Sequence, residues 1–133
     1  MATYLDYYNN HLSPKLKKID LFLKTEEKDI IDMNVVSELL DISNYEIRKI
    51  MRKNSIDNIT KHSFIMIMFY GSSDICKLFS REVKRKVPNS YSPSDISYIY
   101  QLPYESVIQA AQEASIKDIT TQNINKLFSY IYV

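Results

Sequence analysis

The stretch VSELLDISNYEIRKIM, Val36 to Met51, decides how the chain is read. Val36, Leu39 and Leu40 line one face of a short helix, and Ile47, Ile50 and Met51 line the next at i, i+3 and i+4. Only Ile42-Ser43-Asn44 lies between them, which leaves room for a tight corner and nothing else. Two faces this short must pack on each other and on a third element. Working outward, Asp32 is placed to cap the first helix. Ile56 and Ile59 bracket an extended step, and Thr60 is placed to cap a third helix from about Ser63 that Gly71 can end in a left-handed conformation.

The same arrangement recurs further on. Sliding the chain over itself until Val36 meets Ile96 aligns Val36–Tyr70 with Ile96–Tyr130 without a gap, and six positions are identical: Ser37/Ser97, Ser55/Ser115, Ile56/Ile116, Ile59/Ile119, Thr60/Thr120 and Tyr70/Tyr130. Six identities are few, but the apolar character is kept as well, at Val36/Ile96, Leu39/Ile99, Ile42/Leu102, Ile47/Val107, Phe64/Ile124 and Ile67/Leu127. Ser92 stands where Asp32 does, followed by Pro93 at a favoured first helical position, and Pro103 takes the corner place of Ser43. The expected fold is all-α, with two tandem three-helix modules. The second is expected to open its third helix with Thr120 as cap.

Between the copies, Ser72 or Ser73 can cap a helix through Ile75, Phe79, Glu82 and Val83 to about Lys86, and Pro88-Asn89-Ser90 reads as a linker. Ahead of them, one helix is expected around Tyr4 to Leu12 and another from Pro14 to about Glu27. Their apolar positions Leu12, Leu16, Ile19, Phe22 and Leu23 either cover the first module's core or pair two chains. The expected organisation is an N-terminal helical segment over 1–30, a first module with its connecting helix over 31–87, and a second module over 88–133.

Composition narrows the function. At 133 residues and 45% hydrophobic content the chain suits one or two small modules. A single glycine cannot build a phosphate-cradling loop, and the one cysteine, Cys76, cannot form an internal disulfide. Cys76 lies in an apolar-periodic stretch and reads as a small buried thiol in a reducing compartment. The longest apolar run, Phe64 to Tyr70, is seven residues, against about 20 for a spanning helix, and the first residues lack the order of a signal peptide. A cytoplasmic protein without a membrane partner is expected. His11 and His62 have no ligands at metal spacing, and the acids are scattered among lysines without an acid/base pair, so neither an enzyme nor a metal or cofactor is expected.

The Val36–Met51 segment resembles the helix-turn-helix core of bacterial transcription regulators, of the sort seen in the MerR, excisionase and BldC-like groups. In those motifs a small residue lets the helices cross closely, an apolar residue ends the corner, and Val or Ile packs back. Ser37, Ile42 and Ile47 stand at those places, with Ser43 as cap. Asp41 departs from the pattern, which usually has Gly there. The second copy, Ile96–Ala111, matches more loosely, and it also bears a weaker likeness to helical modules of replication-initiation proteins of low-GC bacteria.

The resemblance implies that the second helix enters the major groove of double-stranded DNA. In the first copy that helix turns Arg48/Arg52 and Lys49/Lys53 outward as i, i+4 stacks, a like-charge arrangement that costs a few tenths of a kcal/mol per pair. Candidate DNA contacts are Asn44, Tyr45, Arg48, Lys49, Arg52, Lys53 and Lys61; a plain solvated basic face is the other reading. His62 and Arg81, Lys84, Arg85 and Lys86 can add backbone contacts or be ordinary surface. The matching positions of the second copy are Ile108, Gln109, Gln112 and Glu113, without a cation. Residues 33–90 carry ten basic and six acidic side chains, net +4, and residues 91–133 two and four, net −2, so the overall +1 is a cancellation. The second copy is therefore expected to meet protein through Tyr98, Tyr100, Tyr104 and Ile108, unless these tyrosines cover its own core. The reading is a homodimeric DNA-binding regulator. The alternative is an interaction adaptor whose modules no longer touch DNA.

Overall fold

The computed structural model describes residues 2–85 and 90–133. It is mostly helical. Its elements are α1 (Tyr4–Tyr7), a π-helical turn (Tyr8–Leu12), α2 (Ser13–Thr25), α3 (Met33–Leu40), α4 (Asn44–Lys53), α5 (Lys61–Tyr70), α6 (Asp74–Val83), β1 (Ser90–Tyr91), α7 (Pro93–Tyr100), α8 (Tyr104–Glu113), β2 (Ile119–Thr120) and α9 (Ile124–Phe128). The only sheet among the described residues is the antiparallel pair β1–β2, with Ser90 opposite Thr120 and Tyr91 opposite Ile119. No described helix is long and apolar enough to cross a membrane.

The chain forms two compact units, residues 14–80 and residues 1–13 with 81–133. The division departs from the expected boundaries at 30 and 87 because the segment Met1–Ser13 folds with the end of the chain. The Tyr4 N–H donates to the Ile131 carbonyl at 2.6 Å, the Val133 N–H to Ala2 at 3.2 Å, and Thr3 bridges Tyr132. No sequence period reports such a pairing.

In the 14–80 unit, Asp32 caps α3 through the Asn34 N–H, and Ser43 caps α4 through the Glu46 N–H at 3.1 Å. Asp41 closes α3 in the left-handed region at φ 56°, so the residue that departs from the glycine pattern adopts the glycine conformation. The Ser37 hydroxyl donates to the Ile42 carbonyl at 2.5 Å and fastens the corner from inside. Val36, Leu40, Ile47, Ile50, Phe64 and Ile67 are buried together with Ile59, the end of the extended step, and Phe22 lies against Phe64 with ring centroids 5.7 Å apart. Thr60 caps α5 as expected.

Gly71 does not end α5 in a left-handed conformation: its φ is −68° and its ψ 159°. Glycine is needed there for space, since a Cβ would stand 2.5 Å from Cys76 Sγ and 2.9 Å from Cys76 Cβ. Ser73 caps the start of α6, receiving the Cys76 N–H and donating to the Leu40 carbonyl at 2.6 Å. Cys76 is fully buried, and burial pushes its thiol up.

In the other unit, Ser92 forms a capping box with Asp95, Pro93 sits at the start of α7, and Gln101 ends it at φ 56°. The Ser97 hydroxyl donates to the Leu102 carbonyl at 2.6 Å. Ser55 and Ser115, which follow α4 and α8, are left-handed at φ 55° and 56°. Thr120 does not cap a helix but pairs with Ser90 in β1–β2, and Asn123 folds back over this turn, accepting the Thr120 N–H at 2.7 Å and donating to the Asp118 carbonyl at 2.8 Å. The last helix therefore begins only at Ile124.

The N-terminal pair of helices is also drawn differently. Pro14 has no N–H and its ring crowds the carbonyl four residues back. The preceding turn widens to π, with the Ser13 N–H reaching Tyr8, and α2 then ends at Thr25 rather than Glu27. The connecting helix ends at Val83, Ser90 lies in a strand rather than a linker, and Pro88, Asn89 and Lys86 lie outside the described residues.

Candidate nucleic-acid interface

Helix α4 buries Ile47 and Ile50 and leaves Tyr45, Arg48, Lys49, Arg52 and Lys53 exposed, Tyr45 at 72%. The corner sets this orientation, since Ile42 and Ile47 are both held inside the unit. The one acid on α4, Glu46, is turned away to the start of α6. Its carboxylate accepts the Ser72 N–H at 2.7 Å and the Ser72 hydroxyl at 2.5 Å. Among the described residues none of the four α4 cations forms an ion pair. They flank the helix on two sides. Arg48 and Arg52 border a cleft with Met33, Met51 and Ile56, and Lys49 and Lys53 border another with Tyr70 and Ser72.

Asn44 is half-buried and spent on structure, its Nδ2 donating to Asn34 Oδ1 at 2.9 Å between the first turns of α4 and α3. Lys61 and His62 are exposed at the start of α5. Tyr70 and Ser72 were not singled out from the sequence as site residues. The shared identity Tyr70/Tyr130 was the one signal bearing on Tyr70, and nothing local marked Ser72 as the partner of Glu46.

The expected contrast of charge between two halves does not carry over to the compact units. Residues 14–80 hold eleven basic and ten acidic side chains, net +1, and the other unit holds six of each. The lysines of α2 and the acids of residues 20–32 belong with the α4 unit and dilute its charge. What persists is local, four cations and one occupied acid on α4.

Of the 81–86 cluster, Arg81 and Arg85 are committed within their own unit. Arg81 Nε donates to the Ile99 carbonyl at 2.7 Å, and the Arg85 guanidinium lies 3.9 Å over the Tyr91 ring, donating to Glu82 and to the Ser90 carbonyl. Glu82 also accepts the Tyr91 hydroxyl at 3.1 Å.

Of the four residues expected at a protein interface, Tyr100 is turned inward. Its ring meets Phe128 edge-on at 4.9 Å and Tyr4 at 6.1 Å, and burial drives its hydroxyl far above the ordinary phenol range. Tyr98 and Tyr104 are about half exposed, and Ile108 is half-buried on α8. Gln109 donates to Glu113 at 3.1 Å, so α8 presents amides, acids and one tyrosine, Tyr104. No group of three metal-ligating side chains occurs among the described residues. Comparison with family models, with curated proteins and with solved structures returns no match for this chain.

Proposed function

We propose that the chain binds double-stranded DNA through α4 and acts as a regulator, with the unit containing α7 and α8 serving protein contacts. The observation that carries this reading is the exposed set Arg48, Lys49, Arg52 and Lys53, without an ion pair among the described residues, on the second helix of a helix–corner–helix. The corner is three residues long, Asp41 to Ser43, within the range of DNA-reading helix pairs. Cations on both flanks of one helix suit a groove with phosphates on both walls, and the exposed Tyr45 on the first turn is placed to meet base edges.

The two units also support the reading of a tandem duplication. The left-handed residues Asp41/Gln101 and Ser55/Ser115, the hydroxyl bonds of Ser37/Ser97 and the starts and ends of α3/α7 and α4/α8 all recur at the offset that carries Val36 onto Ile96. On this view α8 is a former reading helix that has lost its cations. The adaptor reading draws on the half-exposed Tyr98 and Tyr104.

Fluorescence anisotropy with mixed-sequence duplex DNA tests the proposal. Binding should weaken steeply with salt, and each phosphate-contacting cation removed should lower the slope of log K against log salt by about one. Absence of binding at low salt, or a slope unchanged in Arg48→Ala/Arg52→Ala, refutes it. A recovered protein partner lost on Tyr104→Glu, without DNA affinity, establishes the adaptor instead.

A further inference from the structure

A second surface lies on the 14–80 unit, sharing no residue with the α4 face. It is a cleft between α2 and α3 with Phe22, Val35 and Leu39 as its apolar lining. The charges on its rims are segregated by element: α2 contributes Lys15 and Lys18, while α3 and its C-cap contribute Glu38 and Asp41. Lys15 Nζ and Asp41 Oδ2 meet at 3.8 Å, with side chains 51% and 74% exposed, so this pair is weakly held. Lys18 and Glu38 form no ion pair among the described residues.

We infer that this cleft takes a second copy of the chain. An isologous contact requires a patch that complements itself, and an apolar strip with a basic rim and an acidic rim does so under a two-fold axis running along it. That axis sets the α2 rim of each copy against the α3 rim of the other, covering Phe22, Val35 and Leu39 of both. It also brings the two Asp41 corners, where each α4 begins, to the same end of the pair. Three apolar side chains per copy are a small core for an interface, so the dimer is in dynamic exchange with monomer and tightened by low salt.

Charge reversal across the cleft tests it on the full chain without DNA, independently of the α4 reading. Sedimentation equilibrium from roughly 1 µM to 1 mM spans useful to negligible affinity. The native chain should show a monomer–dimer equilibrium, and Lys18→Glu and Glu38→Lys should each raise the dissociation constant at least about tenfold, equivalent to ~1.4 kcal/mol. An equimolar mixture of the two variants should regain dimer, because each reversed rim then faces a complementary one. Arg48→Ala/Arg52→Ala should dimerise as the native chain does, whether or not DNA binding is confirmed. Both reversals lie on exposed positions, and helical circular dichroism checks that they fold. A native chain that stays monomeric, reversals without effect, or a mixture that does not recover dimer overturns the inference.

Discussion

Gly71→Ala isolates the cause of a glycine. With φ at −68° the backbone there suits any residue, so alanine meets no conformational penalty. What it meets is Cys76, whose Sγ would be 2.5 Å from the new methyl and whose Cβ would be 2.9 Å away. Cys76 is fully buried on α6 and is held by the Ser73 cap, which itself is bonded to Leu40, so the thiol has little room to retreat. Overpacking of this kind costs about 1–3 kcal/mol. Chemical denaturation of the full chain, followed by circular dichroism, should show that loss in the transition that unfolds the 14–80 unit. The decisive measurement is a double-mutant cycle with Cys76→Ala, which removes the nearer atom and keeps the farther one. Relief should be partial, giving a favourable coupling on the order of 1 kcal/mol. Additive losses would refute steric contact as the reason for glycine.

Ser37→Ala and Ser97→Ala each delete a hydroxyl bond to the corner carbonyl, and denaturation should register about 1 kcal/mol for each, one in each unit. Strongly unequal costs would count against equivalent corners. Gln101→Gly should stabilise by roughly 0.5–1 kcal/mol, because a left-handed φ of 56° strains a residue with a Cβ, and calorimetry would show a raised melting temperature. Alkali should act mainly on the unit containing the termini. Burial raises the hydroxyls of Tyr4, Tyr8, Tyr91 and Tyr100 above their ordinary value of 10.0, so their contribution to stability is complete below pH 10 and falls as pH rises beyond it. Absorbance of tyrosinate should show these four of the eleven tyrosines ionising only as the unit opens.

The elements legible in the sequence are those whose signals are local. Asp32, Ser43, Thr60 and Ser92 cap helices because a short polar side chain reaches an N–H two or three residues on, and the apolar spacing of Ile47 and Ile50 shows which side of α4 faces inward. Elements that a distant partner decides are not legible locally. Thr120 has the same local credentials as Thr60, yet Ser90 claims it for a strand. Tyr100 looks like surface by type and is drawn in by Tyr4 and Phe128. The basic face of α4 was evident from spacing, while the hydrogen bonds from Ser72 that take Glu46 out of it, reaching across the whole of α5, were not.

The bond from Tyr4 to Ile131 has a bearing on the order in which the protein is made. Residues 14–80 are contiguous and can collapse while the rest of the chain is still being synthesised, since domains generally fold as units during translation. The residues ahead of Pro14, by contrast, are made before that unit and must wait for Ile131 and Val133, more than a hundred residues on, a closure of high contact order. A chain interrupted before that partner is added would carry a formed α4 beside an unclosed second unit, its Tyr4 left in water and open to proteolysis.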